Sequence, residues 1–582
     1  QLRLQDGGAV AIVHLVDQLL DGGGPVEPAM LAGTIAEFGP DGIEALKAAC
    51  MVREPQRLSR VLLALAELPS KQFSVELGAG LASGVLPAER QAELAERLND
   101  KYGKLPSLPA IHAFLNKSFD RELAQYQVSR TTQGGLFDTI WRPTPDRRSV
   151  QLVEGQTQDR RLEAVARLAV HRLQLSLTTP GESVDCGAVL LQRAYQSHAS
   201  MELGEVEGHL LTRLPEAQTR EAGYWIQVFE RADEWQMHGG AIRALQMLVA
   251  SAPGEYLVPL DFLSELLNDS RPVIRYTALQ SLYELDPQSP YLGAEKALAV
   301  AMEMTQLAGG PQPLVVGLQS ELRQAAQQQL KMQTGTSGLS ANSARNALLA
   351  LAGTTPIEII VIVDRVADQS LFEFLQRLRS SQKAQSLPIA VLTDELYQHE
   401  RQWIENTPGI VSGVLSRNPE YMGRVVQRLY DTLDTAPLSA GDRAHFAAVS
   451  SRFLTRLASN RDKYAFYPLA DWSGHLEALG ENVSLETQLT VLAGIGSAVS
   501  QRKLSALAAN SALPAADRYE AARALGKSVR RFGMNLTEQD VLQTYELYNT
   551  LGPGDPAAAK SLGLALDVLE AYAGKGAWPE GL

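Results

Sequence analysis

A carboxylate at the end of a buried apolar run has its backbone fixed and its side chain at an open edge, which suits it to nucleophilic attack or ion pairing. Asp364 closes such a run, IEIIVIVD (residues 357–364). It is followed by a loop and an amphipathic helical pattern in RVADQSLFEFLQRLR. Three roles are open to it: accepting a phosphoryl group, capping a loop or pairing with Arg417 as a strand-end aspartate, or binding another ligand.

The remaining reactive residue types lack productive spacing. Nine histidines are scattered with no H-E-x-x-H and no i, i+4 pair, so a metal site on a helix is not expected. Glu202, Glu205 and Glu207 beside His209 read as a solvated helix start in preference to a carboxylate–histidine metal site. The run DGGGP (residues 21–25) lacks the Gly-Lys-Ser/Thr ending of a phosphate loop, and there is no G-x-S-x-G elbow. Cys50 and Cys186, with no C-x-x-C and no Cys/His quartet, fit two buried thiols better than a disulfide or a zinc site. No cofactor, metal or enzymatic activity is expected.

Composition narrows the partners. The chain has 582 residues, 45% apolar and 20% charged, enough for several domains or one long repeat array. A net charge of -13, spread along the chain, opposes the phosphate neutralisation on which nucleic-acid binding depends. The basic run KSVRR (residues 527–531) is too small to reverse it. No apolar run reaches the ~18–20 residues that span a bilayer. The first residue is Gln1. Expected locations are the cytoplasm or, if a signal peptide has been cleaved before Gln1, the periplasm or exterior.

The elements are read from periodicity. Residues 1–100 show short amphipathic helices punctuated by Gly and Pro, with Met30, Ile35 and Phe38 on one helix and Ile43, Leu46 and Ala49 on the next. Residues 101–159, rich in Pro and Gly, are expected to be an irregular excursion that wraps the helices or contacts a partner. Helical pairs resume over 160–310, with Leu162, Val165, Leu168, Ala169 and Leu173 on one face. Trp225 and Trp235 are expected between helices. In NDSRPVIRYTALQSLYELDP a helix starts at Pro272, Asp269 is placed to cap it, and Ile274, Ala278, Leu279 and Leu282 face inward. Arg275 falls on the outer or inter-helix side. Further helices follow over 437–582, with small residues such as Gly494 and Gly526 at spacings that stacked hairpins produce.

The phrase DSRPVIRYTALQSLYEL resembles a HEAT repeat, which implies an α-solenoid of helical hairpins. Over 311–436 the period changes: QPLVVGL, IEIIVIVD, LPIAVLTD and GIVSGVLS are β-branched runs alternating with helical stretches and one weaker strand. This order predicts a five-stranded, doubly wound parallel sheet. The segment resembles the response-regulator receiver domain, which implies a flavodoxin-like fold. It also implies a site in which an aspartate accepts a phosphoryl group and an acidic pair after the first strand helps it hold Mg²⁺. A Ser/Thr and a Lys bind the phosphoryl oxygens. By that resemblance Asp364 takes the acceptor position, Thr393 the hydroxyl position and Arg417 the lysine position. The acidic pair falls on Gly317 and Leu318, which offer no side-chain ligand. Asp394 and Glu358 are the carboxylates left to lie nearby.

The fold class expected is therefore mostly α: a solenoid of HEAT-like hairpins interrupted by one degenerate receiver-type α/β domain. The function expected is a noncatalytic scaffold or structural subunit whose partners are proteins, including copies of itself. The alternative is a signalling protein phosphorylated at Asp364.

Overall fold

The computed structural model describes every residue except 1–7, 53, 70, 104–105, 132–136, 145–147, 176–178, 198–221, 252–256, 308–309, 354, 395, 417, 434–437, 478, 480–482, 552, 575 and 580–582. The chain is mostly α, with one inserted parallel five-stranded sheet, and divides near residue 252 into two compact units.

In the first unit the described helices are α1 (Gly8–Asp21), α2 (Pro28–Ala36), α3 (Pro40–Ala49), α4 (Pro55–Glu67), α5 (Ser74–Ala82), α6 (Ala88–Tyr102) and α7 (Leu108–Thr131). After a hairpin of β1 (Phe137–Pro143) and β2 (Val150–Gln156) come α8 (Thr157–Gln174), α9 (Pro180–Ser197), α10 (Ala222–Glu234) and α11 (His238–Ser251). Proline in the first turn starts α2, α3 and α4, where its missing N–H has no partner to lose. Neighbouring helices pack pairwise, α7 on α8, α8 on α9, and α9 on both α10 and α11. Trp225 of α10 is fully buried with its ring edge-on to Tyr224, whereas Trp235 is half-buried under the Arg231 guanidinium. Met30 departs from its expected inward face and is 64% exposed, because Leu31, Ala32 and Ile35 form the buried side of α2.

Residues 101–159, expected to be an irregular excursion, are instead helix α7 and the β1–β2 hairpin over most of their described length. Ile111, Leu115, Phe119, Leu123 and Tyr126 line the buried side of α7 at helical spacing. The two strands pair antiparallel from Phe137↔Gln156 to Pro143↔Val150, and Trp141 and Val150 join the core of the first helices. Ser149 Oγ donates to Asp17 of α1, and Arg57 Nη1 of α4 donates to the Arg148 carbonyl at 2.7 Å. Pro143, at the end of its strand, argues against helix and is tolerated in a two-stranded hairpin because each strand has an unpaired edge.

The second unit begins with α12 (Leu257–Leu266), α13 (Pro272–Leu285) and α14 (Ala294–Thr305). The α/β domain follows as β3 (Gln312–Val316), α15 (Ser320–Thr334), β4 (Leu339–Ala341), α16 (Ala344–Ala352), β5 (Ile357–Ile362), α17 (Leu371–Ser380), β6 (Ile389–Leu392), α18 (Gln398–Glu405), β7 (Ile410–Gly413) and α19 (Pro419–Leu433). It closes with α20 (Ala440–Ser459), the short α21 (Ser473–Glu477), α22 (Leu485–Ile495), α23 (Ala498–Ala509), α24 (Ala515–Phe532), α25 (Glu538–Leu551) and α26 (Pro556–Tyr572). Helix α20 packs directly on α14, so the helical stack is continuous across the α/β domain, which is an insertion into one helix–helix connection.

The sheet has strand order β4-β3-β5-β6-β7, every pair parallel. All six residues of β5 are buried, as a central strand covered on both faces requires. Ile360, Ile362 and Ile389 pack under α16, α17 and α18, whereas Ile359, Val361 and Ala390 pack under α15 and α19.

Around α13 the inward set Ile274, Ala278, Leu279 and Leu282 is buried. Asp269 does not cap this helix: it accepts the Arg271 N–H at 2.8 Å and pairs with the Arg271 guanidinium. Arg275 lies between helices. It is buried, donates to the Asp269 and Ser270 carbonyls, and pairs with Glu303 of α14 at 2.6 Å.

Candidate functional site

In an open α/β sheet the crevice outside the carboxyl ends of the strands is where ligands bind. Four segments converge there: the residues after β3 (Gly317, Leu318), after β5 (Asp364), after β6 (Thr393, Asp394) and after β7. Val363 N donates to the Val316 carbonyl at 2.9 Å and Leu318 N to the Arg365 carbonyl at 2.8 Å, so the β3 and β5 ends run side by side past the strands proper. The β5–β6 register pairs Ile362 with Val391. Asp364 and Thr393 each follow the last residue paired across these two strands by two positions. Both are half-buried. The residues that the receiver resemblance assigns as acceptor and hydroxyl thus both lie just past the carboxyl ends of neighbouring strands. Arg417, the third, lies outside the described residues, as do Glu202, Glu205, Glu207 and His209.

At the strand end opposite Asp364, the first position of the acidic pair has no room for a side chain. A Cβ built on Gly317 would stand 2.9 Å from Val363 Cγ2 and 3.4 Å from Asp364 Cβ. Val363 is β-branched and buried, so it has little freedom to give way. Leu318 presents a hydrocarbon side chain that is 53% exposed. The Arg323 guanidinium of α15 is fixed at this end: Nη1 donates to the carbonyls of Gly317 at 2.6 Å and Leu318 at 2.8 Å, and Nε to Ser340 Oγ at 3.0 Å. The donor set does not fit Mg²⁺, which needs oxygen ligands in near-octahedral array.

The surrounding loops are similarly committed. Asp368, in the loop after β5, accepts the N–H groups of Ala344 and Arg345 at 2.8 and 2.9 Å, and these bonds hold its carboxyl below the usual aspartate range. That is an anion settled on the first turn of α16. After β7, Asn418 Oδ1 accepts the Glu420 N–H at the start of α19, and the Tyr421 hydroxyl lies against Gly413. Glu358 is not near Asp364. It sits six residues upstream in β5, roughly 20 Å along the strand, and is engaged by Arg443. Asp394 is exposed immediately after Thr393.

One prediction arises directly. Gly317→Asp puts a carboxylate where the receiver resemblance assigns one but must displace Val363, so it is expected to cost about 1–3 kcal/mol of stability and to confer no Mg²⁺ affinity. Urea unfolding and Mg²⁺ titration calorimetry check both; a saturable binding heat would show that the edge does accept the metal.

A second cluster of charge went unread in the sequence. On α8 the inward apolar residues are accompanied by Glu163, Arg167, His171 and Arg172, all buried. Arg193 of α9 donates to Glu163 at 2.8 Å, and Arg167 pairs with Glu44 of α3, which also pairs with Lys47 at 3.1 Å. Burial alone would raise the Glu44 carboxyl, but the Arg167 and Lys47 charges hold it at about 2. Burial drives the His171 imidazole down to about 4, against its bond with Gln174 and helped by Arg167. Burial pushes the neighbouring Glu76 carboxyl upward. The available signal was the Glu163–Arg167–His171 spacing of four, a stripe on one helix face. The β1–β2 hairpin packs on this helix, and pairing of strands is not visible in that spacing. Cys50 and Cys186 are unpaired and buried, their thiols raised by desolvation.

Among the described residues no group of three or more His, Cys, Asp or Glu is placed to hold a metal, and no helix is long and apolar enough to cross a membrane. Compared with models of known protein families and with curated proteins, the chain matches none.

Proposed function

We propose that this protein is a noncatalytic interaction scaffold, or a structural subunit of a larger assembly. In this reading its helical hairpins form a HEAT-like solenoid and its α/β domain is a receiver-like fold kept for its surface. The observation that carries this reading is Gly317. The position that would carry a metal-binding carboxylate is packed against Val363 and Asp364, and Arg323 is bonded to the backbone beside it. A phosphoryl group on Asp364 would then lack the divalent cation that offsets its charge. Helical stacks of this kind expose long surfaces on which recognition is spread over many side chains.

The placement of Asp364 and Thr393 just past the carboxyl ends of neighbouring strands favours the second reading, a switch phosphorylated at Asp364. Native purification from the source cell separates the readings when it is done with and without a small phosphodonor. The scaffold reading expects a stable oligomer or a stoichiometric protein partner in both conditions. A chain that stays monomeric and alone in both, or that acquires its partner only after phosphodonor treatment, would overturn it.

A further inference from the structure

Strand β5 breaks its own alternation at one point. Ile357 packs on the same face as Ile360 and Ile362, whereas Ile359 packs on the opposite face with Val361 and Val363. Residues two apart in a strand share a face, so Ile357 and Ile359 are separated by an extra residue, Glu358. The register agrees: Gln312 lies opposite Ile357 and the next residue, Pro313, lies opposite Ile359. A bulge of this kind frees one side chain from the pleat and re-aims it. Pro313, which has no N–H to give the ladder, sits where the ladder is broken.

The freed carboxylate leaves the sheet for the helical stack. Arg443, in the first turn of α20, grips it with two nitrogens, Nη1 to Oε1 at 2.6 Å and Nη2 to Oε2, while its Nε donates to the Leu438 carbonyl at 3.2 Å. The side chains are only 6% and 8% exposed. A bidentate, charge-assisted contact of this type fixes orientation as well as distance. Further contacts fall at the same amino edge of the sheet. Gln382, after α17, donates to the Asn268 carbonyl beyond α12 at 2.9 Å. The Tyr430 phenol of α19 lies beside the Glu358–Arg443 pair, where burial and the Glu358 charge push its ionisation up.

We propose that the Glu358 bulge is a joint. It fuses the amino edge of the sheet to the helical stack, so that the α/β domain and helices α13, α14 and α20 open and close as one cooperative unit, with the sheet's carboxyl edge held away from the stack. An inserted domain on two connections would otherwise be free to hinge. The inference stands whether or not the carboxyl edge binds a partner.

Native-state hydrogen exchange of the full chain across a urea series tests it. The slowest amides of β3, β5, α14 and α20 are expected to share one opening reaction. Arg443→Met, which leaves Glu358 buried and unpaired, should accelerate all of them together by about two hundredfold to a few thousandfold. The double variant Glu358→Leu/Arg443→Met, which removes both charges, should return them to within about tenfold of the wild type. The joint is overturned if strand and helix amides open separately in the wild type. It is equally overturned if Arg443→Met accelerates one side alone, or if the double variant exchanges as fast as the single.

Discussion

Replacing Arg275 with leucine is expected to destabilise the second unit by about 3–5 kcal/mol. The guanidinium satisfies three acceptors at once: the carbonyls of Asp269 and Ser270, where the chain turns between α12 and α13, and the Glu303 carboxylate on α14. Leucine fills part of the volume and satisfies none of them. Glu303, buried and also bonded by the Tyr276 hydroxyl at 2.9 Å, would be left charged without its cation. The loss should appear as faster hydrogen exchange in both α13 and α14. Glu303→Leu added to Arg275→Leu should recover most of it, because replacing both charges removes the desolvation that the pair opposes. A single-variant cost below about 1 kcal/mol, the value of a solvated pair, would mean that this contact is open to water.

The second large effect is a loss of stability in acid, localised to the first unit. His171 is buried and its folded-state pKa is about 4, below the ordinary 6.5. The unfolded chain therefore binds a proton that the folded chain refuses. The stability this confers is fully present above pH 6.5 and is lost as pH falls through 4, about 3 kcal/mol in all. Glu44, held at about 2, acts in the same direction over a lower window, between 4.5 and 2. His171→Leu should flatten the upper part of this profile, between pH 6.5 and 4, leaving the Glu44 part intact. The measurement is hydrogen exchange in α3, α8 and α9 as a function of pH, corrected for intrinsic rates. Equal acid sensitivity in wild type and His171→Leu would remove His171 as the cause.

The parts of the fold that were legible have strong local signals. The runs around Ile359–Val363 and Ile389–Leu392 are β-branched and apolar, and alternate with amphipathic helices. That combination specifies a buried parallel sheet before any pairing is known. The buried face of α8 and that of α13 followed from helical spacing in the same way. The hairpin at residues 137–156 was missed because Pro143 and Pro145 were read as irregular punctuation, and antiparallel pairing depends on a partner strand rather than on local propensity. The Glu358 bulge was invisible for a related reason. The run IEIIVI gives no sign of which residue the register will skip until Gln312 and Pro313 are set against it. At the candidate site the identities of Asp364, Thr393 and Gly317 could be read directly. That Gly317 leaves no room for a side chain, and that Arg323 is bonded beside it, depended on the packing of Val363 and the course of α15.

The proposal that a receiver-like fold is kept here without receiver chemistry meets its most direct test in intact-protein mass spectrometry of the full chain. The spectrum is recorded after incubation with a small-molecule phosphodonor and Mg²⁺. The account predicts an unchanged mass for the wild type, indistinguishable from Asp364→Asn treated in the same way. A Mg²⁺-dependent gain of one phosphoryl group in the wild type, absent in Asp364→Asn, would contradict it.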